Sequence, residues 1–261
     1  MSLSRVLFEV DGPLAFLTIN RPEARNAMTS AMYDALYDAC ERVDADEAVR
    51  VFVLKGAGGQ AFVSGTDIAE FTTFDSRQDG IRYEQRLDRV IDRLERVSKA
   101  TIAQVEGVAA GGGCLMAIAC DLRVCAPNAR FGVPIARTLG NCLSAASTAR
   151  LVDLIGPARA KDLLITGRLI DAREAMSLGV VTRLADPDQI DATVRELATT
   201  IAGHAPLTIR AAKEMIRRVQ AHRRLNEAEA EDLIALCYAS ADFKEGVAAF
   251  LAKRPPNFSG R

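Results

Sequence analysis

Tryptophan is absent from this 261-residue chain, histidine occurs only twice, and aromatic residues make up 5% of it. With His204 and His222 as the only imidazoles and no Cys-x-x-Cys pair, a zinc site lacks a ligand set, so no metal is expected. The six cysteines, Cys40, Cys114, Cys120, Cys125, Cys142 and Cys237, read as free buried thiols in a reducing cytoplasm. No apolar run reaches the roughly 18 residues of a membrane span, so no membrane partner is expected. The stretch Met1–Asn20 is interrupted by Glu9, Asp11, Gly12 and Pro13, so no secretion signal is expected. An excess of one charge is lacking too: 33 basic and 34 acidic residues give a net charge of −1. They are dispersed, without basic runs interleaved with aromatics, which argues against a nucleic-acid groove.

What remains is ordinary globular material, 49% hydrophobic and 26% charged, enough for one large domain with or without a small helical appendage. Residues 6–10 and 14–20 flank Asp11-Gly12-Pro13 as a β-hairpin. Thr29 is placed to cap a helix with Met32, Leu36, Cys40 and Val43 on one face. The β-branched run 51–55 enters the turn Gly56-Ala57-Gly58-Gly59 as a strand. Residues 72–80 read as a mobile surface loop before a helix over 80–97. Further strands are expected at 101–105 and 122–125, separated by a glycine turn and an apolar helix over 114–119. This rhythm predicts βαβ units and a largely parallel sheet. Beyond about residue 187 only helical stretches follow, at 188–202, 206–221, 226–239 and 243–251. The chain thus divides into an α/β body, 1–200, and a helical tail, 201–261. In the tail Ile209, Ala212, Met215, Ile216 and Val219 share a face, either core or partner surface.

Gly111-Gly112-Gly113 stands directly before the apolar helix. Glycine allows close backbone approach, and a helix N-terminus offers unpaired N–H groups with partial positive charge. Tight packing of helix on strand would select the same triplet. A second glycine bend lies in Ala61-Phe62-Val63-Ser64-Gly65-Thr66-Asp67-Ile68-Ala69-Glu70-Phe71. Two N–H donors from separate turns are what a thioester oxyanion needs.

At these residues the chain resembles the crotonase, or enoyl-CoA hydratase/isomerase, superfamily. The likeness runs through Asn20–Met28, Ser64–Phe71, Val108–Asp121, Ala129–Gly132, Leu163–Gly167, Ala172–Val181 and Asp242–Phe250. It implies a fold of stacked ββα turns, a crotonase-type spiral core, followed by a helical C-terminal region (201–261) that serves oligomerisation. It also implies an acyl-CoA substrate, with coenzyme A arriving as part of the thioester and no permanently bound cofactor, and a homotrimer or dimer of trimers. By position, the backbone N–H groups of Thr66 and Gly112 would form the oxyanion hole. Ala24, Arg25, Asp67, Ile68 and Lys253 fall where similar proteins meet coenzyme A. Arg25 and Lys253 read equally as solvated surface charges.

The chain departs from the family where hydratases carry two glutamates: Leu115 and Ile135 occupy those positions. No Asp or Glu occurs between Leu122 and Val152, so a shifted match does not restore the second. Each general acid or base supplies about 10²- to 10⁴-fold, so ordinary hydration is disfavoured, as is isomerisation, which needs at least one base. Three readings stay open: a base supplied by Glu70, Asp75, Asp79 or Glu84, each otherwise a solvated surface charge; decarboxylation of a malonyl-type thioester, where departing carbon dioxide replaces the proton; or acyl-CoA binding without catalysis. The reacting end of the pocket is expected to hold no acidic side chain. In the unusual stretch Ile135–Ser144, Arg137 or Asn141 would bind a polar acyl substituent, or else Arg137 pairs with a surface acid and Asn141 caps the next helix. Cys114 and Cys142 lack a histidine partner, and packing is the better reading of both.

Overall fold

A computed structural model of the chain describes residues 5–221 and 231–257. Its first sheet has six strands: β1 (Val6–Asp11), β2 (Leu14–Ile19), β3 (Val51–Gly56), β5 (Ala100–Val105), β7 (Leu122–Cys125) and β10 (Arg183–Leu184), in that spatial order. β1 pairs antiparallel with β2 through the predicted hairpin, and the rest are parallel. A second sheet, not foreseen from the sequence, orders β4 (Ala61–Val63), β6 (Val108–Ala110), β8 (Arg130–Gly132) and β9 (Ile170–Asp171). Each of its strands has only two or three residues, too few to show a period.

The long strands explain the layering. Along β3, Phe52 and Leu54 face one cluster with Leu17, Leu36 and Ile91, while Val51 and Val53 face another with Ile102, Val194 and Leu197. A strand buried on both sides reads as a continuous apolar run, as 51–54 does. Helices α1 (Ser30–Ala45), α2 (Arg77–Glu95) and α3 (Gly112–Ala119) cover the first side; α7 (Ile190–Ala202) covers the second. Thr29 caps α1 as expected, its side chain accepting from the Met32 N–H. The mobile loop at 72–80 is corrected. A 3₁₀ turn spans Ile68–Thr73 and α2 starts at Arg77 behind a Ser76–Asp79 capping box.

Between β8 and β9 stand a short α4 (Ile135–Thr138) and the long α5 (Ala145–Thr166), broken at Gly156, where φ is +75° ahead of Pro157. After α6 (Ala172–Ser177) and α7 come α8 (Pro206–Ala221), α9 (Glu231–Tyr238) and α10 (Ala241–Leu251). Of the helix expected over 226–239, residues 226–230 lie outside the described residues, as does His222. The tail is not one surface. α9 packs on α2, where an added Cβ at Gly80 would fall 2.1 Å from the Tyr238 ring, and α10 packs on the α4 loop, where a Cβ at Gly246 would meet Leu139 O at 2.4 Å. α8 instead exposes Leu207, Met215, Ile216 and Val219. Among the described residues no helix is long and apolar enough to cross a membrane.

One buried side chain ties the entry loop together. Asn26, fully buried at φ +57°, donates to the carbonyls of Ala57 and Ala61 and accepts from the Arg21 N–H. Asn26→Ala removes the partner of one buried backbone group, the Ala61 carbonyl, and of two partly buried ones, so a loss of about 2 kcal/mol or more is expected in urea denaturation. An unchanged midpoint would show that the loop does not depend on it.

Candidate active site

Three chain segments converge on one cavity of about 600 Å³. The first is the entry loop after β2, where Arg25 takes a left-handed backbone (φ +51°) beside Asn26, a costly conformation for a non-glycine residue. The second is the bend after β4. There the Met28 N–H donates to the Gly65 carbonyl (2.9 Å) and the Asp67 N–H to the Met28 carbonyl (2.8 Å). These bonds use the groups on either side of Thr66. The alternation of an extended segment therefore directs the Thr66 N–H away from Met28. The third is the start of α3, whose N-cap Gly111 has φ 52° and ψ −123°. Only glycine adopts that pair readily. The first N–H groups of α3, Gly112 included, have no partner inside the helix.

The two glycine bends touch. A Cβ on Gly111 would lie 3.9 Å from the Gly65 Cα; one on Gly112 would lie 3.8 Å from Thr66 Oγ1 and 2.4 Å from the Tyr33 hydroxyl. Behind them runs a chain of hydroxyls: Thr66 Oγ1 is 2.9 Å from the Tyr33 oxygen and 2.6 Å from that of Tyr83. Burial pushes both phenols well above their ordinary range, so they stay protonated and neutral. The Thr66 hydroxyl is held by this chain, and its side chain is fixed.

Thr66, Gly112, Leu115, Ile135 and Asn141 all line the cavity, as do Ala24, Arg25, Asp67, Ile68 and Lys253. Asp67 is held by Arg21 (2.6 Å), which keeps its carboxyl below the usual range against a partial burial that acts the other way. Arg137 is not brought to this cavity: it is exposed, its Cβ beside Gly167. Asn141 is not a helix cap. Ser144 caps α5, accepting from the Ser147 N–H at 3.0 Å, while Asn141 Nδ2 donates to the Tyr238 hydroxyl at 3.0 Å. The Asn141 amide oxygen, Oδ1, is buried with no hydrogen-bond partner among the described residues. Cys114 packs in the core, 3% exposed, and burial pushes its thiol up to about 12, which leaves it inert.

Two expectations about acidic side chains are corrected together. Glu84 is not a solvated charge but 2% exposed, and it lines the cavity, which therefore does hold an acid. Desolvation pushes its carboxyl up to about 8, only partly opposed by hydrogen bonds from the Tyr238 hydroxyl and the Ser144 N–H. The other candidates stand elsewhere. Asp79 is taken by the α2 capping box, Glu70 by the Ser30 hydroxyl at 2.5 Å, and Asp75 is exposed. The sequence reading did not single out Arg21, Tyr33, Tyr83 or Tyr238. A usable signal for Glu84 was its spacing: it stands between Gly80, Ile81 and Leu87, Ile91 on the buried stripe of α2, a position ordinarily apolar.

Comparison with known proteins identifies the family. The family model described as Enoyl-CoA hydratase/isomerase matches residues 9–261. The crotonyl-CoA hydratase of Syntrophomonas wolfei is 36% identical over 262 residues, 99% of each chain. An enoyl-CoA hydratase/isomerase from Pseudoalteromonas atlantica superposes with a TM-score of 0.84 at 32% identity, over 98% of this chain and 100% of that one. Methylmalonyl-CoA decarboxylase in complex with 2-nitronate-propionyl-CoA superposes with a TM-score of 0.90 at 26% identity, over the whole of both chains. On the extent of these matches and the shared spiral architecture, the chain belongs to the enoyl-CoA hydratase/isomerase family, the crotonase superfamily.

Proposed function

We propose that this enzyme binds an acyl-CoA thioester and stabilises its enolate through the Thr66 and Gly112 N–H groups, without being an ordinary hydratase. The observation that carries this reading is the meeting of the two glycine bends inside a cavity walled by Leu115 and Ile135. A thioester oxygen between the two amides accepts both N–H bonds, and these strengthen as the oxygen becomes negative. Removing one such donor costs about 3–4 kcal/mol of transition-state stabilisation. The lining residues Ala24, Arg25, Asp67, Ile68 and Lys253 would carry the coenzyme A portion, with the exposed Arg25 and Lys253 offering charge to its phosphates. Leu115 and Ile135 stand where the family's hydratases place the glutamates that position water.

A second reading, decarboxylation of a malonyl-type thioester, is favoured by the superposition. The methylmalonyl-CoA decarboxylase complex aligns at 0.90 over both whole chains despite 26% identity, above the 0.84 of the hydratase/isomerase at 32%. In that reaction the bond to the departing carbon dioxide breaks and its electron pair enters the enolate. Apolar side chains beside the carboxylate desolvate it. The proposed assembly is a homotrimer or a pair of trimers in the cytoplasm, with the exposed apolar face of α8 available for contact. Light scattering should give three or six chains per particle; a monomer would refute the assembly.

A substrate panel tests the function. Crotonyl-CoA, a 3-enoyl-CoA and methylmalonyl-CoA are incubated separately with the enzyme, and products are followed by mass spectrometry. Turnover of methylmalonyl-CoA with loss of carbon dioxide is the expected result for the second reading. Binding of every thioester with no turnover of any would reduce the protein to an acyl-CoA carrier.

A further inference from the structure

The proposed enolate needs a proton partner, and one buried carboxyl is built into the cavity wall with no role assigned. Glu84, on α2, lines the cavity together with Leu87, Leu115 and Leu143. Among the described residues it has no ion pair, so nothing cationic offsets its burial. Both its oxygens are gripped instead: Oε1 accepts from the Tyr238 hydroxyl, Oε2 from the Ser144 N–H at 3.0 Å. A carboxylate oxygen has two lone pairs, and one donor on each leaves acceptor capacity free for a further partner. Packing alone would be served better by leucine or glutamine, because an unpaired buried acid costs stability whenever it ionises. The supports are themselves built. Ser144 is held by the Asp88 carboxylate, and Tyr238 is wedged against Gly80, where no other residue fits.

We propose that the Glu84 carboxyl exchanges a proton with the α-carbon of the bound acyl thioester, taking it to form the enolate and returning it to discharge the enolate. This rests on the enolate reading above. In the first direction the Cα–H bond breaks, the proton passes to a Glu84 oxygen, and the electron pair enters the enolate held by the two amides. In the second the enolate carbon takes the proton back, the thioester carbonyl re-forms and the carboxylate is restored. After loss of carbon dioxide only the second step is required, and Glu84 starts protonated. Both directions are accessible near neutrality, because burial pushes the carboxyl up to about 8.

The groups that set this titration surround it. Asp88 lies one turn on along α2, Tyr238 and Cys237 face it from α9, Cys142 from the segment before α5, and Tyr33 and Tyr83 from the hydroxyl chain. Arg150 is engaged by Glu95 and stands 4.0 Å from Asp88.

The test is deuterium uptake by butyryl-CoA in D2O, read by mass spectrometry, with binding followed by calorimetry. Wild-type enzyme should label the α-position. The rate should rise with pH through about 8 and then level, because the carboxylate is the acting form. Glu84→Gln should bind butyryl-CoA as wild type does and exchange about 100-fold more slowly or worse. A smaller loss overturns the role of Glu84 and leaves the oxyanion hole standing. Wild-type enzyme that binds but never labels overturns the enolate reading, and this inference with it. Should Glu84→Gln not fold, Tyr238→Phe decides: it removes a donor to the carboxylate, so the midpoint of the pH–rate curve must move up. An unmoved midpoint overturns the assignment.

Discussion

Crotonyl-CoA hydration by this enzyme is expected to run about 10⁴-fold or more below the rate of a hydratase carrying both glutamates. On the proposed placement of Leu115 and Ile135 at the two glutamate positions, the figure is the product of two absent acid–base groups at the low end of 10²–10⁴ each. Glu84 does not repair the loss. Water addition needs one group to position and deprotonate water and another to protonate the α-carbon, and among the described residues the cavity offers a single buried carboxyl, Glu84 on α2. The converse experiment is the stronger one. Leu115 is fully buried and Ile135 half-buried, both on the cavity wall, so Leu115→Glu with Ile135→Glu places two acids in the same space. Hydration should rise by at least about 10²-fold in the double variant, with each single change giving far less, since the pair acts as a unit. Wild-type hydration at an ordinary hydratase rate, followed at the thioester absorbance, would falsify the claim that these aliphatic positions exclude that chemistry.

Long elements were legible in the sequence because burial writes its period over many residues. β3, buried on both faces, shows as an unbroken apolar run, and α1 shows a stripe from Met32 to Val43 behind a capping threonine. The glycine bends were legible for another reason: Gly65 and Gly111 sit at φ values of +121° and +52°, which other residues rarely adopt. The second sheet was hidden by its two- and three-residue strands. α5 was hidden by Gly156-Pro157, which reads as a break although two helical runs meet there. The start of α2 was hidden because its first turn is polar and its cap lies in what reads as a loop. Glu84 lay inside the helix expected over 80–97, but its charge reads as a surface feature although its position is on the buried stripe. The hydroxyl chain had no local signature, since Tyr33, Thr66 and Tyr83 come from three elements and meet only in the folded chain. Asn141 was placed near the pocket for its polarity, but the partner it finds, Tyr238, lies 97 residues away.

Gly112 and Gly113 are adjacent, yet alanine at each should fail in a different way. A Cβ on Gly113 would fall 2.0 Å from the carbonyl oxygen of Val63 and 2.7 Å from its carbonyl carbon. That obstacle is backbone in β4, so the start of α3 must lift from the sheet. Gly113→Ala is therefore expected to cost at least about 3 kcal/mol, seen as a lower Tm, with catalysis lost because the fold is weakened. On Gly112 the Cβ would meet the Tyr33 hydroxyl at 2.4 Å, the far end of a side chain that can turn aside. Gly112→Ala should then keep most of its stability but break the Tyr33–Thr66 bond and shift one of the two amides. A rate loss of about 10²–10³-fold is expected, the usual consequence of losing one donor to an oxyanion. Tyr33→Phe removes the oxygen in the way. Gly112→Ala combined with Tyr33→Phe should recover much of the lost rate, a coupling that two independent sites would not show. Strictly additive losses in that cycle would mean that the tyrosine does not set the position of the Gly112 amide. The hydroxyl chain would then be packing and no part of the hole.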